Sequence, residues 1–386
     1  MSQSFDVCIR GDGVVGRSLA LSLAQQRLRV ALVVAPDRPS HDKSPLASGH
    51  PPADVRAYAL NVASKRLLES LRAWPDATGA TPVLDMQVWD ADDAHGARLD
   101  FSASGSEQAA LAWIADVPVL EQQLGEAVRY QALIQSVGEP VKASLQVICE
   151  GQSSRSRQAL ATDWRVKPYL QKAIAARLES SQPHRGLARQ WFSGGEVLAL
   201  LPMGGAQGNS IALVWSVSVE RATVLEAMDD EAFCAALQSS CLSLAGDLKL
   251  VSRRTSWPLA LSHADRWVGP GWVLAGDAAH TVHPLSGQGL NLGLADVAEL
   301  AKVLGKREKS DYWRSVGDMK LLRRYERARK LDVLTLGTVT DGLQRLFARG
   351  SEAEKTPWQL LRNLGMQGFE RSGGLKHWVT KRAMGL

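Results

Sequence analysis

Apolar positions follow two different rhythms along this chain. Phe5 to Arg10 is a short apolar run, Val14 to Gln26 repeats its apolar residues at helical spacing, and Leu28 to Val34 is apolar again. That order predicts strand, helix and strand, the unit with which a parallel sheet begins. His41 to Ala53 is rich in Pro, Ser and Gly and reads as a loop. Val55 to Trp74 reads as a helix that turns Leu60, Leu67, Leu68 and Leu71 to the core. From about Pro82 to Leu120 the period shifts toward two, as in MQVWDA and ARLDFSA. Leu120 to Val128 reads as helix and Ala143 to Glu150 as strand. Within Pro168 to Val217, RGLARQWF and NSIALVWSV alternate, as an antiparallel sheet with one covered face requires. YLQKAIAARLE in the same stretch is ambiguous by period alone. Asp230 to Leu244 reads as helix, and Trp272 to Ala275 as a buried strand. Beyond it Leu290, Leu294, Val297, Ala301 and Leu304 fall near one helical face. Most of the remainder reads as helix, and the chain carries no internal repeat.

Composition narrows the class. The 386 residues are 45% hydrophobic and 22% charged, the profile of a soluble globular protein. No apolar run reaches the length of a membrane span. The amino terminus runs straight into a strand, so a signal peptide is not expected. Four cysteines follow no spacing pattern, which argues against a zinc site or a disulfide framework. Cys8 and Cys149 lie in apolar runs and read as buried thiols, and a reducing cytoplasm fits. The net charge of +5 is uneven. From Lys306 onward there are about 18 Lys and Arg against about 9 Asp and Glu. Such an end can meet anionic lipid at the inner face of a membrane. It can equally be the solvated face of helices, the reading that charge patterning favours. No recognition motif accompanies the charge, so nucleic acid is not an expected partner.

Two glycine-rich stretches carry the candidate chemistry. Gly11-Asp12-Gly13-Val14-Val15-Gly16 is a GxGxxG between a strand and a helix. Gly11, Gly13 and Gly16 permit a tight turn and bring a pyrophosphate close to the helix start. The second stretch is GDAAHTVHPLSGQGLNLGL, Gly276 to Leu294. Asp277 sits at a strand's carboxyl end, where a carboxylate accepts hydrogen bonds from cofactor hydroxyls. Gly287 and Gly289 let the backbone approach a flat ring. The helix that starts near Leu290 aims unpaired N–H groups and the positive end of its dipole at that ring. His280 and His283 stand three apart, but no third ligand has suitable spacing, so a metal is not expected. A Gly-x-Ser-x-Gly elbow is absent from the sequence, which argues against hydrolysis.

The second stretch resembles the second flavin-contact motif of the single-component FAD-dependent aromatic hydroxylases. HTVHPLSGQGLNLGL is most similar to the ubiquinone-biosynthesis hydroxylases within that family, and the resemblance spans nearly the whole chain. It implies an α/β fold: a Rossmann-like FAD domain with a parallel sheet, an inserted antiparallel-sheet substrate domain, and C-terminal helices. In this reading 1–81, 111–160 and 261–305 build the FAD domain. Residues 82–110 and 161–260 supply the substrate sheet, and 306–386 form the C-terminal helical region. YLQKAIAARLE then becomes a strand.

The resemblance also implies roles. Gly11, Gly13, Gly16, Gly276, Asp277, Gly289, Leu290 and Asn291 would bind FAD, with Arg56 of the DxRxxAL-like segment Asp54 to Leu60 on its phosphates or ribityl chain. Glu150 stands where the family's GADG motif has aspartate, followed by Ser154 and Arg157, and by that resemblance would support FAD and NAD(P)H binding. Pro284, Gly287, Gln288 and Gly289 would line the reacting edge. Leu201, Pro202, Met203 and His283 would meet the substrate, with Leu200 in the same apolar segment. The activity implied is hydroxylation of a polyprenylated phenol on the way to ubiquinone, with NADPH or NADH as co-substrate and a flavin hydroperoxide as oxidant. Membrane contact through the basic C-terminal region and a place in a ubiquinone-synthesis complex would suit a lipid-tailed substrate.

Several positions depart from the family pattern. Val34 stands where an acid normally binds the adenosine ribose, and Asp37 lies beyond Pro36. Asp12 sets negative charge beside the pyrophosphate, with Arg10 nearby to offset it. Val117 to Glu121 replaces the family's N-R-x-L-Q. These departures predict FAD binding weaker than the family norm. They leave two rivals open: a hydroxylase of a soluble aromatic compound, and a non-catalytic scaffold paralogue.

Overall fold

The computed structural model describes residues 4–34, 54–90, 98–104, 109–160, 162–282 and 288–348. Among them, six strands form a sheet in the order Val268–Gly269, Trp272–Leu274, Ala143–Ile148, Phe5–Arg10, Val30–Val33 and Ile134–Val137. All neighbours run parallel except the edge pair of Val268–Gly269 with Trp272–Leu274. Val7, Cys8 and Ile9 of the central strand are wholly buried, as a strand covered on both faces requires. Helices Val14–Gln25, Val117–Arg129 and Gly289–Ser310 contribute to the core around it: Leu19, Leu23, Leu120, Leu124, Val297 and Leu300 pack with Leu32, Leu145 and Val147. The central strand pairs with Val30–Val33 on one side and with Ala143–Ile148 on the other. This is where strand order reverses, and the crevice at the carboxyl ends there is the usual ligand site of an open α/β sheet.

The second sheet is large and strongly alternating. Its order is His280–Thr281, Thr255–Ala264, Trp164–Ser180, Ser210–Ser218, Glu196–Pro202, Leu187–Ser193, Asp85–Asp90 and Arg98–Ser102, with Leu248–Leu250 also on Trp164–Ser180. The ambiguous YLQKAIAARLE is strand, because partners flank it on both edges. Ile174, Leu178, Leu198, Leu200, Leu213 and Trp215 point to one face, where Ala222, Leu225, Phe233 and Leu237 of helices Val219–Ala227 and Asp230–Ser240 cover them. Leu201, Met203 and Ala212 point to the other face, against Ala57, Ala59, Val83 and Ile114. One pair, Leu187–Ser193 with Asp85–Asp90, is parallel in this otherwise antiparallel sheet. Its strands come from distant chain segments, so no hairpin dictates their direction.

Two sequence expectations need correction here. Residues 55–74 are not one helix: Ala57–Leu60 is a strand, with Tyr58 opposite Ala115 of Ala112–Asp116. The helix begins at Val62, behind Asn61, whose side chain accepts a hydrogen bond from the Ser64 backbone N–H at 2.9 Å. Four residues, AYAL, carry no decisive period, and a partner from a distant segment overrides local pattern. Leu200 lies on the helix-covered face, away from Leu201 and Met203, because successive strand residues point to opposite sides.

After Gly289–Ser310 the chain continues into the helix Met319–Ala348. Among the described residues, no helix is long and apolar enough to cross a membrane.

Candidate active site

The first turn is closed by glycines that leave no room for anything larger. Gly11 has φ +107°, and a Cβ on it would lie 2.4 Å from the Cys149 carbonyl oxygen. A Cβ on Gly16 would lie 1.9 Å from the Gly11 oxygen. Gly13 is the N-cap of Val14–Gln25 and makes no side-chain cap, so the first-turn N–H groups have no partner from it. Asp12 is nearly buried and pairs with Arg17, Nη2 to Oδ2 at 3.5 Å, while Arg17 Nη1 donates to the Glu121 carbonyl at 2.6 Å. Arg10 donates instead to Gln146 Oε1 at 3.2 Å and Ser156 Oγ at 3.1 Å. The ion pair of Asp12 is therefore with Arg17, not with the Arg10 that the sequence put forward.

Glu150 lies beside that turn, its Cα 3.1 Å from where a Gly11 Cβ would be. Its carboxylate accepts from Ser154 Oγ at 2.8 Å and from the N–H and hydroxyl of Ser156 at 3.0 and 2.6 Å. Burial pushes its pKa up, but these donors and Arg10 bring it below the ordinary glutamate value. Glu150 thus ties down the start of the short helix Arg155–Ala159. The buried Arg157 of that helix donates to the Ala278 carbonyl at 3.1 Å and lies over the Trp164 ring, 3.6 Å from its centroid. The GADG-like segment and the second glycine stretch are joined by this contact.

Arg56 and Asp277 come together although 221 positions separate them. The Arg56 guanidinium forks onto Asp54, with Nε to Oδ1 at 2.9 Å and Nη2 to Oδ2 at 2.6 Å, and Glu121 Oε1 lies 3.9 Å away. The Asp54 hydrogen bond raises the Arg56 pKa, so the group is a permanent cation. Arg177 fixes its backbone by donating to the Arg56 carbonyl at 3.0 Å. Asp277 is exposed to solvent, yet burial of its surroundings raises its pKa. Asp296 raises it too, while His280 and Arg56 lower it. Asp277 is thus a carboxylate that solvent reaches although protein atoms crowd around it. It takes no hydrogen bond from the described residues.

The second glycine stretch closes on the first. A Cβ on Gly276 would touch Val15 at 3.2 Å, and one on Gly293 would meet Val15 at 2.7 Å. Among the described residues, a Cβ on Gly289 would meet no atom within 4 Å at the start of Gly289–Ser310. Asn291 is buried: its Oδ1 accepts from the Asn61 N–H at 3.0 Å and Ser64 Oγ at 2.7 Å, and its Nδ2 donates to the Ala59 carbonyl at 2.8 Å. The Asn291 side chain therefore fastens the helix to Ala57–Leu60, while Leu290 packs against the main core. Leu201 and Met203 pack near that same strand, and Pro202 is buried between them. Pro284, Gly287 and His283 lie outside the described residues, as does Asp37.

Sequence reasoning missed Asp296 and Arg329. Asp296 is wholly buried and accepts from the Gly276 N–H at 2.8 Å; its Oδ2 also meets His280 Nε2 at 2.7 Å. Arg329 donates to its other oxygen at 2.7 Å. Burial raises the Asp296 pKa, but His280 and Arg329 together hold it below the ordinary aspartate value. One signal was present: Asp296 stands on the helical stripe between Leu292 and Leu300, both buried, where an unpaired acid would not be tolerated.

Residues 107–334 match the family described as FAD binding domain. The chain is 32% identical over 403 residues to the ubiquinone hydroxylase UbiL of Rhodospirillum rubrum, covering 98% of this chain and 89% of that protein. It is 30% identical over 411 residues to the 3-demethoxyubiquinol 3-hydroxylase of Escherichia coli, covering 100% of both. Among solved structures, PqsL of Pseudomonas aeruginosa in complex with 2-aminobenzoylacetate matches with a TM-score of 0.76 at 21% identity, over 95% of this chain and 100% of that one. The p-nitrophenol 4-monooxygenase PnpA of Pseudomonas putida matches with 0.74 at 14% identity, over 100% and 99%. At those identities the structural likeness is one of fold.

Proposed function

The chain belongs to the family of FAD-dependent ubiquinone-biosynthesis hydroxylases, and from that premise we propose that it hydroxylates the aromatic ring of a polyprenylated phenol or quinol precursor with NADPH or NADH and molecular oxygen. One observation carries the reading. The second glycine stretch packs on the first, with a Cβ on Gly276 or Gly293 reaching Val15; Arg56 lies near enough to Asp277 to lower its pKa, and Leu201 and Met203 pack with Ala57 and Ala59 of the strand that follows Arg56.

These residues fit FAD. The capless helix at Gly13 offers N–H groups to a pyrophosphate. Arg56 brings a fixed cation, and Asp277 an acceptor for hydroxyls. Bound FAD supplies the redox chemistry, accepting electrons from NAD(P)H and delivering oxygen to the ring. The helix start at Gly289 favours negative charge on whatever lies against it. Leu201 and Met203 exclude water and hold an apolar ring by contact.

The departures that favoured a scaffold are partnered in the fold. Asp12 has Arg17, Arg10 has Gln146 and Ser156, and Glu150 has two serines. Val34 has no such counterpart and leaves the expectation of weakened ribose binding in place.

The test is direct. Purified protein loaded with FAD should show flavin absorption, oxidise NAD(P)H in the presence of a short-chain prenylated phenol, and place one atom of labelled dioxygen in the product. A colourless protein that ignores added FAD overturns the reading. We further assign the basic sequence after Lys306 to anionic lipid, since the substrate tail resides in a membrane, and we place the protein in a ubiquinone-synthesis assembly. Flotation with anionic vesicles at low salt tests the first assignment and co-purification with other enzymes of the route the second. Absence of vesicle binding leaves those cations as the solvated face of helices.

A further inference from the structure

We infer that Asp296 is a positioning residue for the cofactor turn, and that Arg329 makes the C-terminal helix the latch that holds it. The inference rests on the FAD reading above but concerns residues outside the cleft. Asp296 is 0% exposed, and its two carboxylate oxygens take different partners. One oxygen holds the turn: it accepts from the Gly276 N–H at 2.8 Å and meets His280 Nε2 at 2.7 Å. These two residues bracket Asp277. The other oxygen takes Arg329 Nε at 2.7 Å, from the helix Met319–Ala348.

The turn needs such a hold. Gly276 has φ +62°, a left-handed conformation that only a fixed hydrogen bond or tight packing keeps in one state. His280 is gripped on its ring face as well, stacked on Trp267 with centroids 4.9 Å apart. Trp267 is tied to the same C-terminal helix, because its backbone N–H donates to Glu326 Oε1 at 2.9 Å. Arg329 also reaches the Leu292 carbonyl at 3.3 Å, in the first turns of the helix that starts at Gly289. A single guanidinium thus braces Asp296 and the first turns of Gly289–Ser310. If the C-terminal helix moves away, Asp296 keeps its charge in the core without its main cation, and the Asp277 turn loses its anchor.

The structure therefore assigns FAD retention to a contact made far along the chain from either glycine motif. The variants are Arg329→Met, Arg329→Lys, His280→Leu and His280→Gln, compared with the wild type. Gln extends its amide to about where His Nε2 sits, so it keeps the donor that Leu removes. FAD affinity is read by flavin fluorescence, and apo folding by far-UV circular dichroism and thermal melts. R329M and H280L should bind FAD at least tenfold more weakly, with a smaller FAD-induced rise in melting temperature. R329K and H280Q should recover part of both. A residue that merely stabilises the fold would lower apo and FAD-bound melting points alike and leave the dissociation constant unchanged. If R329M does not fold, H280L against H280Q decides. Wild-type affinity in H280L and in folded R329M overturns the inference. Failure of the wild type itself to bind FAD overturns the functional reading instead.

Discussion

Gly289→Ala separates the folding of the cleft from its use. In the free protein the added methyl meets no atom of the described residues within 4 Å. Replacing glycine by alanine inside a helix is worth about 0.5–1 kcal/mol, and at the first helical position the gain is the lower part of that range. The apo variant should therefore melt no lower than the wild type. With FAD present, the same methyl stands where the ring is expected to lie against the helix start. Overpacking of a fitted contact costs about 1–3 kcal/mol, and each 1.4 kcal/mol is about tenfold in affinity. The dissociation constant should rise about 5- to 150-fold. Gly16→Ala is the contrast: its Cβ would lie 1.9 Å from the Gly11 carbonyl oxygen, a backbone atom that cannot step aside. That variant should lose apo stability as well as binding. Fluorescence titration with FAD and thermal melts of both apo proteins provide the comparison. A G289A protein that folds and binds FAD as tightly as the wild type refutes the argument, because the ring would then not lie against that position.

Three further outcomes follow from the site. Val34→Asp restores an acceptor at the end of the second strand and should tighten FAD binding by about 1 kcal/mol, roughly fivefold, in the same titration. Asp277, though solvent reaches it, has a folded-state pKa above its unfolded value because surrounding protein desolvates it, so the folded protein binds more protons than the unfolded chain between the two. Its contribution to apo stability is then lost as pH rises through that window. Asp277→Asn should melt higher than the wild type at neutral pH, converge with it below the ordinary carboxyl range, and bind FAD more weakly; coincident melts at every pH contradict this. Glu150→Ala removes the acceptor for Ser154 and Ser156 and should cost about 1–2 kcal/mol in denaturant unfolding. Glu150 titrates below its ordinary value, so this stabilisation is present above that value and fades as pH falls through the folded-state one.

Much of the fold could be read from the chain by itself. The opening βαβ unit, the buried strand before Asp277 and the helix behind Gly289 are local patterns, and local patterns survive without knowledge of partners. The alternating strands near 187–218 were legible for the same reason. The glycines of the two turns announced close approach, and the fold has no space for a side chain at Gly11 or Gly16. What stayed hidden depends on partners far away in sequence. Ala57–Leu60 is a strand because Ala112–Asp116 lies beside it, and four residues hold too few turns of either period to say so. Leu200 and Leu201 look alike in one dimension, yet they point to opposite faces once the sheet exists. Asn291 was read as a cofactor contact; that its side chain also pins helix to strand shows only once the two elements are packed together. Asp296 and Arg329 carry no motif at all. Their meaning arises only when packing removes water around a carboxylate, since a buried charge must find its partners in space and spacing along the chain places no limit on where those partners come from.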